Sequence, residues 1–181
     1  INAASGGSTI TMTNAGSGLF DLRGGASADI ITGGSGNDII TGNGAADVLD
    51  GGAGADIITG NAGNDTFKIT SGSDVVTDLG GAGTDSDIVV VSGGATLTAN
   101  NIIGFTATNA TQNNSTDANN AVIAAKNGGG RTIDVSGVAV GSKGFKIVGG
   151  DGADILTGTS AADIISGGNA DDTIHIGGAG H

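Results

Sequence analysis

The residues of this chain that are best placed to do chemistry are aspartates recurring at a fixed interval. Five consecutive nine-residue units run from 24 to 68, and three more run from 149 to 175. Each unit has Asp at its sixth position and a large apolar residue at its eighth. A spacing this regular is not expected of charges that only solubilise a surface, so it predicts a repeated binding site. The sixth-position aspartates are Asp29, Asp38, Asp47, Asp56, Asp65, Asp154, Asp163 and Asp172.

The ligand chemistry of these units favours calcium. All 18 acidic residues are Asp, and each repeated Asp lies in a glycine-rich stretch whose backbone carbonyls can converge. Hard oxygen ligands in a flexible site favour Ca²⁺ over the smaller, strictly octahedral Mg²⁺. Zinc and copper sites are disfavoured because the chain has no Cys and its only histidines are His175 and His181. We therefore predict Ca²⁺ as the cofactor.

Short strands and tight turns must position these aspartates. The eighth position carries residues such as Ile31, Leu49 and Phe67, which predicts strands that point one side chain inward and its neighbours outward. Glycine is frequent at the first, second and fourth positions, where we expect it to supply positive φ angles. The seventh position is also apolar in most units and should face outward, either as a lateral contact or under a loop of the same chain.

The units resemble the RTX nonapeptide Gly-Gly-x-Gly-x-Asp-x-U-x, in which U is a large apolar residue. The resemblance implies an all-β fold, a right-handed parallel β-roll or β-solenoid in which two nonapeptides form one coil and calcium lies between turns of successive coils. The fourth-position glycine is replaced at Ser27, Ala45, Ala161 and Ala170, where we expect weaker binding. The implied pairs are Asp29 with Asp47, Asp38 with Asp56, Asp47 with Asp65, and Asp154 with Asp172, while Asp163 has no second partner.

The segment after Lys68 resembles the stretch that closes such a β-roll. It contains Asp74, Asp78, Asp85 and Asp87, and we name Asp85 and Asp87 as further metal ligands. The alternative is an ordinary polar turn between strands, because the spacing of these aspartates is irregular.

An internal duplication organises the chain. Phe20 matches Phe145 and Asp29 matches Asp154 at the same separation, and each Phe stands where a preceding turn would carry Asp. We expect these Phe residues to be apolar caps that close the row of calcium sites. The predicted parts are an N-terminal β cap at 1–23, a first RTX block with its closing segment at 24–91, a β-rich connecting segment at 92–139, and a truncated second block at 140–181.

The connecting segment is rich in Val, Ile, Thr, Asn and Ala. It predicts strands that continue the solenoid or form a small β-sandwich, and the stretch at 117–126 fits either a strand or one short helix. The whole chain is thus predicted to be two RTX blocks joined by a β-rich segment.

Composition excludes several functions. A net charge of −12 with only six basic residues disfavours nucleic acid and anionic lipid as partners. No segment is apolar and long enough to cross a membrane, and no signal peptide follows Ile1. The chain lacks His-Glu-x-x-His, Gly-x-Ser-x-Gly and phosphate-loop motifs, so we predict that it is not an enzyme. We expect both ends to be cuts in a longer protein, because Ile1 is not Met and the pattern stops at His181.

The leading hypothesis is a calcium-stabilised structural protein of the cell surface, either a surface-layer subunit or a filament or matrix protein. The resemblance implies type I secretion from a Gram-negative bacterium, followed by folding and self-assembly outside the cell. The expected partners are copies of the same chain, and a cell-surface polysaccharide is a further candidate. The alternatives are an RTX adhesin or extender stalk, and the secretion and folding domain of a calcium-dependent protease or lipase.

Overall fold

The computed structural model describes residues 1–2, 6–12, 16–80, 85–116 and 121–177. Within these ranges the chain forms eighteen short strands and no helix, and hence no helix that could cross a membrane. The strands are β1 (Thr9–Thr11), β2 (Asp21–Arg23), β3 (Ile30–Thr32), β4 (Ile39–Gly44), β5 (Val48–Asp50), β6 (Ile57–Ala62), β7 (Thr66–Ile69), β8 (Ser73–Val76), β9 (Ile88–Gly93), β10 (Thr96–Ile102), β11 (Gly104–Thr106), β12 (Gln112–Ser115), β13 (Ala121–Ala125), β14 (Thr132–Asp134), β15 (Lys146–Gly150), β16 (Ile155–Thr157), β17 (Ile164–Gly168) and β18 (Thr173–His175).

These strands stack into three parallel sheets. The long sheet has eight strands, in the order β17, β15, β13, β10, β8, β6, β4 and β2. The first side sheet has six strands, in the order β1, β3, β5, β7, β9 and β12, and the second side sheet has four, in the order β11, β14, β16 and β18. Successive strands of each RTX block alternate between the long sheet and a side sheet, so the chain winds as a solenoid. The predicted parallel β-solenoid is confirmed.

One coil of the regular part contains two nonapeptides. Ile40 lies beside Ile58 in the long sheet, and Leu49 lies beside Phe67 in the first side sheet, so the partners in each pair are two repeat units apart. The eighth-position side chains form the core, because Ile40, Leu49, Ile58 and Phe67 are fully buried. The seventh-position side chains point outward, and Ile57 is 46% exposed with no loop of the described chain over it.

The connecting segment continues the solenoid. Strand β10 pairs with β8 on one side and with β13 on the other, so the long sheet runs unbroken from the first block to the second. Residues 121–125 of the stretch at 117–126 are strand and not helix, whereas 117–120 lie outside the described residues. No separate sandwich forms within the described ranges. The first side sheet gives way to the second in this segment, because the first ends at β12 and the second begins at β11.

Candidate metal centre

The repeated aspartates form ladders that connect successive coils. The backbone N–H of Asp29 donates to Asp47 Oδ1 at 2.7 Å, and the N–H of Asp47 donates to Asp65 Oδ1 at 2.8 Å. The same contact joins Asp38 to Asp56 at 2.7 Å and Asp154 to Asp172 at 3.0 Å. The structure therefore brings together all four pairs of aspartates that the resemblance implies. The ladder contact occupies one oxygen of each accepting carboxylate. The second oxygen accepts a backbone N–H in Asp29 and Asp38, from Gly25 and Gly34.

Each ladder of the long sheet begins at a phenylalanine. The N–H of Phe20 donates to Asp38 Oδ1 at 2.9 Å, and the N–H of Phe145 donates to Asp163 Oδ1 at 2.8 Å. Phe145 is fully buried and Phe20 is partly buried against the core. The two copies of the duplication thus begin with the same arrangement, in which an apolar residue occupies the place of an aspartate.

The second carboxylate oxygen lacks a partner in the inner turns. In Asp47, Asp56, Asp65, Asp74 and Asp154, Oδ2 is buried and makes no hydrogen bond. Leaving a buried carboxylate oxygen unpaired is costly, because the oxygen has lost water and gained nothing in exchange. Five such atoms at equivalent places indicate a common ligand that is positively charged.

The first glycine of each unit leaves the space next to this oxygen. A Cβ built on Gly42 would lie against Asp47 Oδ2 and 2.9 Å from the carbonyl oxygen of Gly60 in the next coil. A Cβ on Gly149 would lie 2.5 Å from Asp154 Oδ2. Carboxylate and carbonyl oxygens therefore face one cradle that any side chain would fill. This donor set fits calcium.

The prediction that glycines supply positive φ angles was wrong at the first position and right for only some residues of the second and fourth positions. None of the first-position glycines has a positive φ, so the residue is needed there for space. Positive φ values occur at the second position, as at Asn43 (83°) and Gly52 (92°), and at the fourth, as at Gly54 (129°). Ala45 takes the fourth position with a φ of 71°, a conformation that costs an alanine about 1 to 2 kcal/mol.

Comparison with known proteins agrees with this geometry. A scan against family models matches the RTX calcium-binding nonapeptide repeat at residues 21–49, 41–76 and 148–181, about half of the chain. Both blocks belong to the RTX calcium-binding repeat family. A search of curated proteins found no match, and a search of solved structures found none either. RTX repeats bind calcium, are typical of secreted bacterial proteins, and are typically non-catalytic.

The closing segment of the first RTX block extends both ladders. Asp74 Oδ1 accepts the N–H of Asp56 at 3.1 Å, and Asp87 Oδ1 accepts the N–H of Asp65 at 2.8 Å. Asp74 follows Asp56 by two nonapeptide lengths, so the period alone could have placed it in the ladder. Asp87 follows Asp65 at a longer interval that breaks the period, and only the structure reveals that contact.

Asp78 and Asp85 lie beside the ladder at the same end of the first RTX block. Asp78 accepts the N–H groups of Gly60 at 3.0 Å and Asn61 at 2.5 Å. Asp85 makes no ladder contact, but it lines a surface cavity of about 480 Å³ together with Asp78 and Lys126. Burial raises the pKa values of Asp78 and Asp87, and the charge of Asp85 adds to the effect. Of the two ligands named in this segment, only Asp87 is in line with the repeated aspartates.

Carboxylates alone do not complete any RTX site. No group of three or more His, Cys, Asp or Glu side chains converges on one point within the described ranges. Each pair of adjacent turns supplies two aspartates, so backbone carbonyls and water must supply the other ligands. The need for backbone ligands is consistent with glycine at the first position of all eight units, where it is as regular as the aspartate.

Burial makes five ladder carboxylates of the first RTX block and its closing segment hard to ionise without a cation. It raises the pKa of Asp65 and of Asp74 to about 7, and that of Asp87 to about 6, from an ordinary value of 3.8. Neighbouring carboxylates add to the effect, as the charges of Asp87 and Asp47 do at Asp65. Burial also raises the pKa of Asp47 and Asp56. The ionised form of these buried aspartates is therefore disfavoured in the calcium-free fold.

We predict that the calcium-free chain becomes less stable as pH rises. The pKa of Asp65 is 3.8 in the unfolded chain and about 7 in the folded one, so folding is least penalised below pH 4 and progressively disfavoured up to pH 7. Thermal unfolding followed by circular dichroism in EDTA should show a midpoint that falls across this range. With excess calcium the trend should reverse, because calcium binds the ionised carboxylates. A flat profile in EDTA would contradict the prediction.

Proposed function

We propose that this chain is a calcium-stabilised structural protein that folds and self-assembles on the surface of a Gram-negative bacterium. The observation that carries the calcium part is the set of buried, unpaired Oδ2 atoms in the ladder aspartates. A bound Ca²⁺ would supply the positive charge that these oxygens lack. The aspartates and turn carbonyls hold the ion, and the ladder hydrogen bonds set the spacing between coils.

Secretion before folding is consistent with this chemistry. Extracellular calcium modules commonly have dissociation constants on the order of 10⁻⁴ to 10⁻³ M, far above the free calcium of a cytosol. With net charge −12 and ladder aspartates that repel one another, the chain would stay unfolded inside the cell. We infer type I secretion for the whole protein, with folding driven by calcium outside.

Exposed isoleucine rows support self-association. Ile57 and Ile164 on the long sheet, Ile30 on the first side sheet and Ile155 on the second are each 46 to 49% exposed. Apolar side chains exposed on the outer faces of the sheets suit a lateral contact between copies of the chain, as in a surface layer or a filament. A cell-surface polysaccharide would be the anchoring partner.

A stalk is the second candidate. The long sheet continues through both RTX blocks without a hinge, which favours a rigid extender that separates a binding head from the cell. In that role the chain would fold with calcium and stay monomeric.

A calcium titration with two simultaneous readouts tests the proposal. We expect circular dichroism to show a coil-to-β transition between about 10⁻⁴ and 10⁻³ M calcium, with light scattering rising in the same samples. Magnesium should produce neither change. Ile57→Lys and Ile164→Lys together should keep the transition and lose the scattering. Folding without scattering in the unmodified chain would favour the stalk, and no folding at all would overturn the calcium proposal.

A further inference from the structure

One aspartate of the second RTX block is satisfied in a different way from the inner ladder aspartates. Asp163 Oδ2 accepts the backbone N–H of Thr159 at 2.7 Å and the hydroxyl of the same threonine at 3.0 Å. Its Oδ1 accepts the N–H of Phe145 at 2.8 Å. Both oxygens of this carboxylate therefore have donors from the chain itself.

The preceding unit of the same block provides the contrast. There the second position is Gly150, with a φ of 117°, and Oδ2 of Asp154 is buried without a partner. Thr159 takes that second position in the next unit and is not among the residues with positive φ. A β-branched residue avoids the left-handed region, and the N–H of Thr159 points at the carboxylate.

The threonine hydroxyl also organises the rest of its turn. Thr159 is 1% exposed, and its Oγ1 accepts the N–H of Ala161 at 2.9 Å while donating to Asp163. Asp29 and Asp38 also receive a second-position N–H, from Gly25 at 2.6 Å and Gly34 at 2.8 Å. Thr159 is alone among the second-position residues of the eight units in bringing a hydroxyl, since the others are Gly or Asn.

We propose that Thr159 makes the turn at 158–163 independent of calcium. Its hydroxyl and N–H give Asp163 the positive partners that an ion gives to Asp154 and the inner aspartates of the first block. The donor set around Asp163, with a hydroxyl in addition to the N–H, thus does not call for a cation. The inference rests on the proposed calcium function, and under it Asp163 would not be a calcium ligand, in contrast to the sequence-based prediction.

Calcium stoichiometry of the full chain tests this inference. Isothermal titration should show that Asp154→Asn binds one calcium fewer than the unmodified chain, whereas Asp163→Asn binds the same number. Loss of one calcium in Asp163→Asn would overturn the inference. An unchanged number in Asp154→Asn would instead overturn the assignment of ions to unpaired Oδ2 atoms, and with it the proposed function on which the inference rests.

A second pair of variants tests the hydroxyl without altering any carboxylate. In saturating calcium, Thr159→Val should lower the thermal unfolding midpoint of the second block with no change in the number of calcium ions bound. Thr159→Ser, which restores the hydroxyl, should recover most of the midpoint. A lower calcium number in Thr159→Val, or an unchanged midpoint, would overturn the inference.

Discussion

Gly51→Ala is expected to prevent calcium-dependent folding of the first RTX block. The added Cβ would lie 2.6 Å from Cγ and 2.7 Å from Cβ of Asp56, and closer still to its Oδ2. Asp56 is 1% exposed and tied to Asp38 through the ladder, so it has no room to withdraw. Overpacking of this kind costs about 3 kcal/mol, and the methyl group would also occupy the cradle that we assign to calcium. Calcium titration followed by circular dichroism measures the loss.

Gly94→Ala is the matched control for this substitution. No heavy atom lies within 4 Å of a Cβ built on Gly94, and this glycine has no positive φ. The control should therefore fold with a stability within about 0.5 kcal/mol of the unmodified chain. Equal behaviour of the two variants would mean that the space beside Asp56 is not needed.

Asp47→Ala is expected to have opposite effects with and without calcium. Asp47 connects two coils, since it accepts from Asp29 and donates to Asp65, and we assign it to two calcium sites. Each site contributes about 2.7 kcal/mol when calcium is about 100-fold above its dissociation constant, so two sites amount to about 5 kcal/mol. Without calcium the same substitution should stabilise the fold at pH 8, because burial raises the pKa of Asp47 and its charge is unfavourable there.

Denaturant unfolding in calcium measures the first effect, and the pH at which the calcium-free chain unfolds in EDTA measures the second, because that pH should be higher in Asp47→Ala than in the unmodified chain. Asp171→Ala removes one exposed negative charge outside the ladders and should change neither condition appreciably. Asp163→Ala should reduce calcium affinity less than Asp47→Ala does. A destabilisation of the same size in both conditions would show that Asp47 serves only as a hydrogen-bonding group.

The regular part of the fold was predictable because its determinants are local and periodic. An apolar residue at the eighth position of every unit places Ile40 beside Ile58 once two nonapeptides make a coil, and the burial of both follows. The role of the first glycine was not predictable in the same way. The neighbours that exclude a Cβ at Gly33 include the carbonyl of Gly51, which comes from the next coil, and no local pattern reports that approach.

The change from the first side sheet to the second was also not predictable from the sequence. Near this junction Asn113 and Ser115 of β12, and Thr111 just before it, are buried polar residues. Asn113 Nδ2 donates to the carbonyl of Gly144 at 2.5 Å. Polar residues in a strand normally indicate a solvent-facing position. Their burial depends on a contact between distant parts of the chain, at a separation that no period in the sequence encodes.

The unbroken long sheet also constrains how such a chain can change in length over evolution. Over two nonapeptides the chain leaves the long sheet, forms one strand of a side sheet and returns to the long sheet. The returning strand is in register with the previous one, as the pairing of Ile39 with Ile57 shows. Gain or loss of two nonapeptides therefore adds or removes one complete coil, and every later strand stays in the same sheet. Gain or loss of a single nonapeptide would move each later strand from the long sheet to a side sheet, or the reverse. It would also separate aspartates that are hydrogen-bonded between successive coils. Insertions and deletions of whole coils are thus the changes in length that evolution can make while keeping the existing fold.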